Sequence, residues 1–287
     1  MSYRRRASPL HAAHAGAGGA YCLALALAAL TLSNPVVLGT LVVVVLAAGW
    51  AAGVGREVRR AALFSLPLAI GIALINALVS RNGLTVIVRL GQLPILGHTD
   101  VTLEATVYGA ILGLRAMAVI MCGALYTTAI DPDQVLALFR RFSFRSALTA
   151  TLATRMVPVL IRDSHRFADA QRCRPGRPPS RATLLRAASS GVLDRALDIA
   201  AALEVRGFGS ARRPQRRRRV YSRHDLQFGA AAVAIVVLAL AIRIGGLAPF
   251  TAYPALHSPA GPTVLGVSLA IAVCALAPFA DRRGVRR

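Results

Sequence analysis

Two arginines stand where a helical run stops. In "ADAQRCRPG" Arg174 precedes Pro175, and in "AAALEVRGFG" Arg206 precedes Gly207; laid on one another, each has an alanine four residues earlier, Ala170 and Ala202. A guanidinium is planar, permanently charged and carries five N–H donors in a fixed fork. At the exposed tip of a rigid helix it can therefore enter an acidic or carbonyl-lined groove of another protein. The plainer role is a charge that favours its own helix end, worth about 0.3–1 kcal/mol. The repeated arrangement favours docking for Arg206, whereas Arg174, with proline next to it, fits either reading.

Other reactive side chains do not assemble into a site. His11 and His14 would share a helix face, but no further metal ligand lies near them, and they read as part of a mobile N-terminal segment. His165 and His224 lie among arginines, without a serine and carboxylate that would complete a triad. Asp194 and Asp198, four residues apart, are expected beside Arg195 on a solvated helix face. The four cysteines, Cys22, Cys122, Cys173 and Cys274, form no C-x-x-C and suggest neither a disulfide framework nor a zinc site. The chain has no lysine, so no Walker A loop can exist in it. No catalytic residue, metal or cofactor is expected. The run Arg216 to Arg219, with Arg212 and Arg213, could bind anionic lipid or nucleic acid. Tyr221 is the one aromatic near it, and the run reads as an anchor for the following span, with nucleic acid excluded as a partner.

The elements that must carry the two tips belong to a membrane protein. Of 287 residues 55% are hydrophobic and only 16% charged, and the mean hydropathy is +0.56, too apolar for an ordinary soluble domain. About 20 apolar residues cross the hydrocarbon core, and runs near that length fall at about 17 to 33, 35 to 54, 61 to 79, 105 to 129, 226 to 247 and 262 to 280. Six spans are predicted, the first two joined by a tight turn at Ser33, Asn34 and Pro35 as an uncleaved hairpin. With both termini inside, 30 of the 34 arginines fall on the cytoplasmic side, which is the expected bias. Arg115, inside the fourth span, is costly unless it faces the bundle or snorkels, and it calls for a structural partner. Glu104 lies about three helical turns away and does not supply one.

Residues 131 to 225 are too many for a connector and patterned enough to fold. Asp131 and Pro132 form an N-cap and first-turn pair opening a short helix to about Arg141. A second helix is predicted from Ser146 to about Cys173, with Pro158 as a kink, and a third from about Arg181 to Arg206. In the third, Leu193, Ala196, Leu197, Ala200 and Leu203 recur at three- and four-residue spacing, an apolar stripe that needs a surface to lie against. Gly207 suits the left-handed residue just past the helix end.

At these residues the chain resembles the transmembrane, or T, component of energy-coupling factor (ECF) importers, the family that includes CbiQ-type cobalt transport proteins. The family signature is a pair of Ala-Arg-Gly tripeptides ending two cytoplasmic coupling helices. The matching positions here are Cys173-Arg174-Pro175 and Val205-Arg206-Gly207; both arginines match and three of the other four residues do not. "SNPVVL", "TLEATVYGAILGLRAMAVI", "DPDQVLALFR", "SALTATLATRMVPVLIRDSHRFADAQRCR" and "LDRALDIAAALEVRGFG" carry the rest of the likeness, over roughly residues 20 to 280. The resemblance implies a subunit of a bacterial cell membrane complex, with two ABC-type ATPase subunits docked on the coupling helices and a membrane S component that binds the substrate, a vitamin or a transition-metal ion. Each tip arginine would sit in the groove of one ATPase. Pro175 lacks an N–H and resists the left-handed conformation, so the first tip departs in shape from the family pattern.

The expected architecture is thus all-α: a basic cytoplasmic segment (1–16), spans one to four (17–129), a coupling-helix region with long amphipathic cytoplasmic helices (130–225), spans five and six (226–280) and a basic cytoplasmic end (281–287). Two other functions fit a polytopic membrane chain. A self-sufficient secondary transporter would bind its cargo at the midplane through broken helices and polar groups, but the spans are poor in acids. A membrane-embedded lipid-modifying enzyme would need converging carboxylates or histidines, and no such cluster is seen.

Overall fold

The computed structural model describes residues 6–80, 85–93, 97–139, 144–173, 181–207, 221–251 and 261–281. They form a helical protein that divides into two compact units, Met1–Val135 with Tyr221–Arg287, and Leu136–Val220.

The first unit contains α1 (Pro9–Ala12), α2 (Ala15–Thr31), α3 (Pro35–Ala51), α4 (Gly55–Val79), α5 (Leu103–Ala129), the start of α6 (Pro132–Phe139), α9 (Arg223–Gly245), α10 (Pro262–Leu276) and a 3-10 turn (Ala277–Phe279). Six apolar helices, α2 to α5, α9 and α10, stand where the apolar runs place them. Four segments among the described residues, Gly55–Val79, Leu103–Ala129, Arg223–Gly245 and Pro262–Phe279, are long and apolar enough to cross a membrane. At 17 residues each, α2 and α3 are somewhat shorter than the roughly 20 that a full crossing takes. Their joint is the expected tight turn: Asn34 caps α3, its side chain accepting from Val36 N at 3.0 Å, and Pro35 opens the helix.

In lipid, helices gain little from leaving their apolar surroundings, so close packing and internal hydrogen bonds hold them together. Along α4 and α5 this takes the form of backbone contact, because a Cβ on Gly113 would come within 2.5 Å of Ala69 O and one on Gly109 within 2.8 Å of Ala73 O. Where α2, α9 and α10 meet, Tyr21, Phe228 and Phe279 stack edge to face with centroids 5.2 to 6.1 Å apart. Tyr21 and Phe228 are fully buried, and the Tyr21 hydroxyl donates to Ala275 O at 2.8 Å, so the one polar atom of the cluster is satisfied.

Two expectations are corrected in this unit and one is filled in. The stretch between the third and fourth spans is not only a connector: Val86–Leu93 (β1) and Gly97–Thr102 (β2) pair antiparallel, from Val86 opposite Thr102 to Leu93 opposite Gly97. The hairpin is tied to the head of α5, where Leu103 N donates to Thr85 O at 2.9 Å and Thr85 N donates to both carboxylate oxygens of the buried Glu104 at 3.2 Å. The N-terminal stretch around His11 and His14 is packed, with Ser8, Leu10, His11 and Ala13 all buried. The cause is local capping joined to long-range bonds: Ser8 caps α1, His14 caps α2, and Arg6 donates to Gly53 O and to Glu57. The structural partner that Arg115 calls for is present. Arg115 Nη2 donates to Leu32 O at 3.0 Å and to Ser33 Oγ at 3.3 Å, so it closes the carbonyl end of α2.

The second unit holds the rest of α6 with α7 (Phe144–Arg172) and α8 (Arg181–Val205). Asp131 opens α6 as an N-cap, its Oδ1 accepting from Asp133 N at 3.0 Å. Helices α7 and α8, of 29 and 25 residues, begin and end within about two residues of the predicted bounds, which is the ordinary uncertainty of a helix end. Pro158 lies inside α7.

Candidate functional site: the helix tips of the second unit

The second tip is built by helix-termination chemistry. Helix α8 stops at Val205; Arg206 N still donates to Ala202 O at 3.3 Å, and Gly207 N donates back to Glu204 O at 2.9 Å. That second bond is the inner one of a Schellman end, and it requires the next residue to turn left-handed. Gly207 does so at φ +75°, where a side chain would be strained. The consequence is geometric: the chain turns away from the helix axis one residue after Arg206, and Val205, Arg206 and Gly207 are all exposed. Val205 is 90% exposed, an apolar side chain beside a guanidinium with nothing of its own unit covering it.

The first tip is described up to Cys173, which ends α7 as an exposed thiol whose N–H donates to Asp169 O at 3.2 Å. Arg174 and Pro175 lie outside the described residues.

What joins the two rods is an ion pair. Arg195 Nη1 of α8 lies 2.6 Å from Asp163 Oδ2 of α7. This corrects the expected grouping of Arg195 with Asp194 and Asp198 on a solvated face. Arg195, Ile199 and Leu203, spaced by four and half-buried, form the row on the α7 side, while Asp194 and Asp198 remain exposed. The sequence contained both partners, an aspartate in the arginine-rich α7 and an arginine of α8, but no periodicity relates positions 32 residues apart. The Arg195 guanidinium hydrogen-bonded to Asp163 holds its carboxyl below the ordinary carboxylate value, and Arg166 and Arg162 add to this. Measured along the helices, the pin lies about 15 Å from Cys173 and about 16 Å from Arg206 at 1.5 Å per residue, so the two lever arms are nearly equal.

The apolar stripe of α8 is largely uncovered: Leu193 and Leu197 are 66% and 65% exposed, Ala196 and Ala200 are exposed, and Leu203 alone is half-buried. Helix α7 adds Val157 and Ile161, each about half exposed. The unit therefore presents two chemistries, a basic tip on a fixed turn and an apolar face along the rod.

Together these features define a helical membrane protein whose second unit offers surfaces it does not itself cover. The chain matches the family model of CbiQ, the cobalt transport protein, over residues 6–217, and it belongs to that family of membrane transport proteins. The matched stretch runs from the packed N-terminal segment past the α8 tip. No curated protein matches the chain.

Proposed function

We propose that this chain is the transmembrane T component of an energy-coupling factor importer, the subunit that passes ATP-driven motion from two ABC-type ATPases to a membrane S component. Arg206 docks in the groove of one ATPase and Arg174 in that of the other, with Val205 and Gly207, and Cys173 and Pro175, shaping the two tips. The chain itself has no catalytic role; ATP is hydrolysed in the partner subunits. Residues 130–225 form the cytoplasmic coupling region, both termini are cytoplasmic, and the protein resides in the bacterial cell membrane.

The observation that carries this reading is the second tip, an exposed guanidinium at the end of a 25-residue helix, held on a left-handed glycine turn. A charge that served only its own helix end would not need the apolar Val205 left almost wholly in solvent beside it. Family membership supports the transport role, and the arginine count supports the cytoplasmic placement. When the ATPases close on ATP, each draws its tip; because Asp163 and Arg195 pin the rods between the tips, the pull on one rod is shared by the other. The cargo, a vitamin or a transition-metal ion, is held by the S component. The exposed stripe through Leu193 and Leu197 is the surface of this unit that an apolar partner would cover.

The test is Arg206→Glu in the full chain, co-purified with its ATPase subunits. Loss of at least one ATPase from the complex is expected, because arginine hot spots carry about 2 kcal/mol or more, roughly thirtyfold in affinity. Unchanged assembly together with unchanged transport rules out the assigned role.

A further inference from the structure

Between α3 and α4 the chain makes a turn that places its single tryptophan. Gly53 N donates to Trp50 O at 2.9 Å and Val54 N to Gly49 O at 2.8 Å, the two bonds of a Schellman end, with Gly53 left-handed at φ +77°. The turn lays the indole over Gly55, the first residue of α4, where a Cβ would overlap the ring. Trp50 is nevertheless 71% exposed. From there two rows run along α4 at four-residue spacing, Gly55, Arg59 and Leu63 in one, Arg56, Arg60 and Phe64 in the other. The three arginines, Leu63 and Phe64 are all exposed, Phe64 at 83%. Each row passes from positive to apolar within one turn, about 6 Å along the axis. Glu57, the one acid of α4, is engaged by Arg6, and none of the three arginines forms an ion pair with a described residue. Helix α4 is also the least covered of the four long apolar helices.

Two plainer roles do not account for this face. Arginines in the opening turns of a helix oppose its dipole, so they do not serve α4 itself. A charge bias that only orients a span needs arginines somewhere in the loop. It does not need them in register with an apolar row, beside an aromatic ring that a built turn holds in place.

We propose that the face from Trp50 to Phe64 is a binding site for an anionic phospholipid. Arg56, Arg59 and Arg60 hold the phosphate, Leu63 and Phe64 lie along the upper acyl chains, and Trp50 stands at the boundary between them, where indole rings settle. Continuity of the positive rows with bare apolar surface favours a lipid over a free phosphate ion, which would leave Leu63 and Phe64 uncovered. The site lies wholly within the first unit and stands whether or not the helix tips dock ATPases.

Because Trp50 is the only tryptophan, its fluorescence reports this site alone. The full chain is placed in phosphatidylcholine bilayers containing a minor fraction of phosphatidylglycerol, with bromine near the top of the acyl chains of one lipid or the other. Bromine quenches an indole that it touches. Per mole, brominated phosphatidylglycerol is expected to quench Trp50 about tenfold more effectively than brominated phosphatidylcholine. Each arginine near an anionic headgroup is worth about fivefold in affinity, so Arg59→Gln with Arg60→Gln, a loss of roughly twenty-five-fold, should erase the preference. Arg216→Gln with Arg217→Gln lowers the net charge equally at another place and should leave the preference intact. Equal quenching by the two lipids overturns the site, as does a preference that survives Arg59→Gln with Arg60→Gln. A preference lost equally in the control pair marks overall charge and also overturns it. Inorganic phosphate added at fixed ionic strength should change nothing; if it removes the preference, the face is an ion site and the lipid is wrong.

Discussion

Arg115 in the first unit and Arg206 in the second are the same side chain put to opposite uses at the end of a helix. Arg115 reaches across to the C-terminal end of α2 and donates to Leu32 O, and the contact stays within the bundle. Arg206 ends its own helix, on a turn that brings the chain away from it, and is exposed. The difference follows from the solvent. Inside a membrane no water can satisfy a helix-end carbonyl or solvate a guanidinium, so each becomes the other's partner. Outside it, water serves both, and a guanidinium without an intramolecular partner is available for another protein at little cost to the fold. An arginine in a helical membrane protein is thus structural or offered according to whether its surroundings leave it a choice.

That contrast can be broken at either end. Reversing both tips, Arg174→Glu with Arg206→Glu, is expected to cut transport by more than tenfold and more than either change alone, by the arithmetic of two lost hot spots; an ATP-dependent uptake assay in vesicles checks this, while the melting temperature of the isolated chain should not move. Arg115→Leu should do the reverse. Leaving Leu32 O buried without its donor costs about 1–3 kcal/mol, seen as a lower thermal midpoint in detergent, while ATPase binding at saturating protein is retained. Gly207→Ala lies between the two classes. It forces a side chain into the left-handed region at about 1 kcal/mol, so the α8 tip should fray, with a several-fold weaker ATPase affinity and little change in bundle stability. The smallest effect is expected from the pin between the rods. Because the Asp163 carboxyl titrates below its ordinary value in the folded unit, the stability it contributes is present above the unfolded value, about pH 4, and is lost as pH falls through the folded one. Protection factors in α7 and α8, that is, exchange corrected for its intrinsic pH dependence, should therefore be flat from neutral pH down to that point and fall below it, and Asp163→Asn should remove the fall.

How much of this was legible in the sequence depended on the distance over which each feature is decided. The helix ends were readable because capping is local: Asp131 with Pro132, Asn34 with Pro35, and Arg206 with Gly207 settle their turns from a few neighbouring residues. The apolar runs were readable because lipid sets a length. Contacts between distant positions were not. Arg115 finds Leu32 83 residues away, Arg195 finds Asp163, and Asp225 finds the N–H of His14, none of which leaves a period or a motif. The packed N-terminal segment belongs to the same class, since Arg6 and His14 hold it to residues far along the chain. The β-hairpin is a different case. "TVIVRL" carries the β-branched run of a strand, but it lies in a stretch where span counting expects only a connector. As for the tips, sequence singled out the arginines; the bare apolar neighbour Val205 and the pin between the rods required the structure.

The central claim, that the α8 tip grips an ATPase, is tested most directly by a photo-reactive side chain placed at position 206 and irradiated in membranes carrying the complete transporter. The account predicts a cross-link to an ATPase subunit whose yield changes when ATP is added. A cross-link only to this chain or to lipid, with the ATPases present and bound elsewhere, would contradict it.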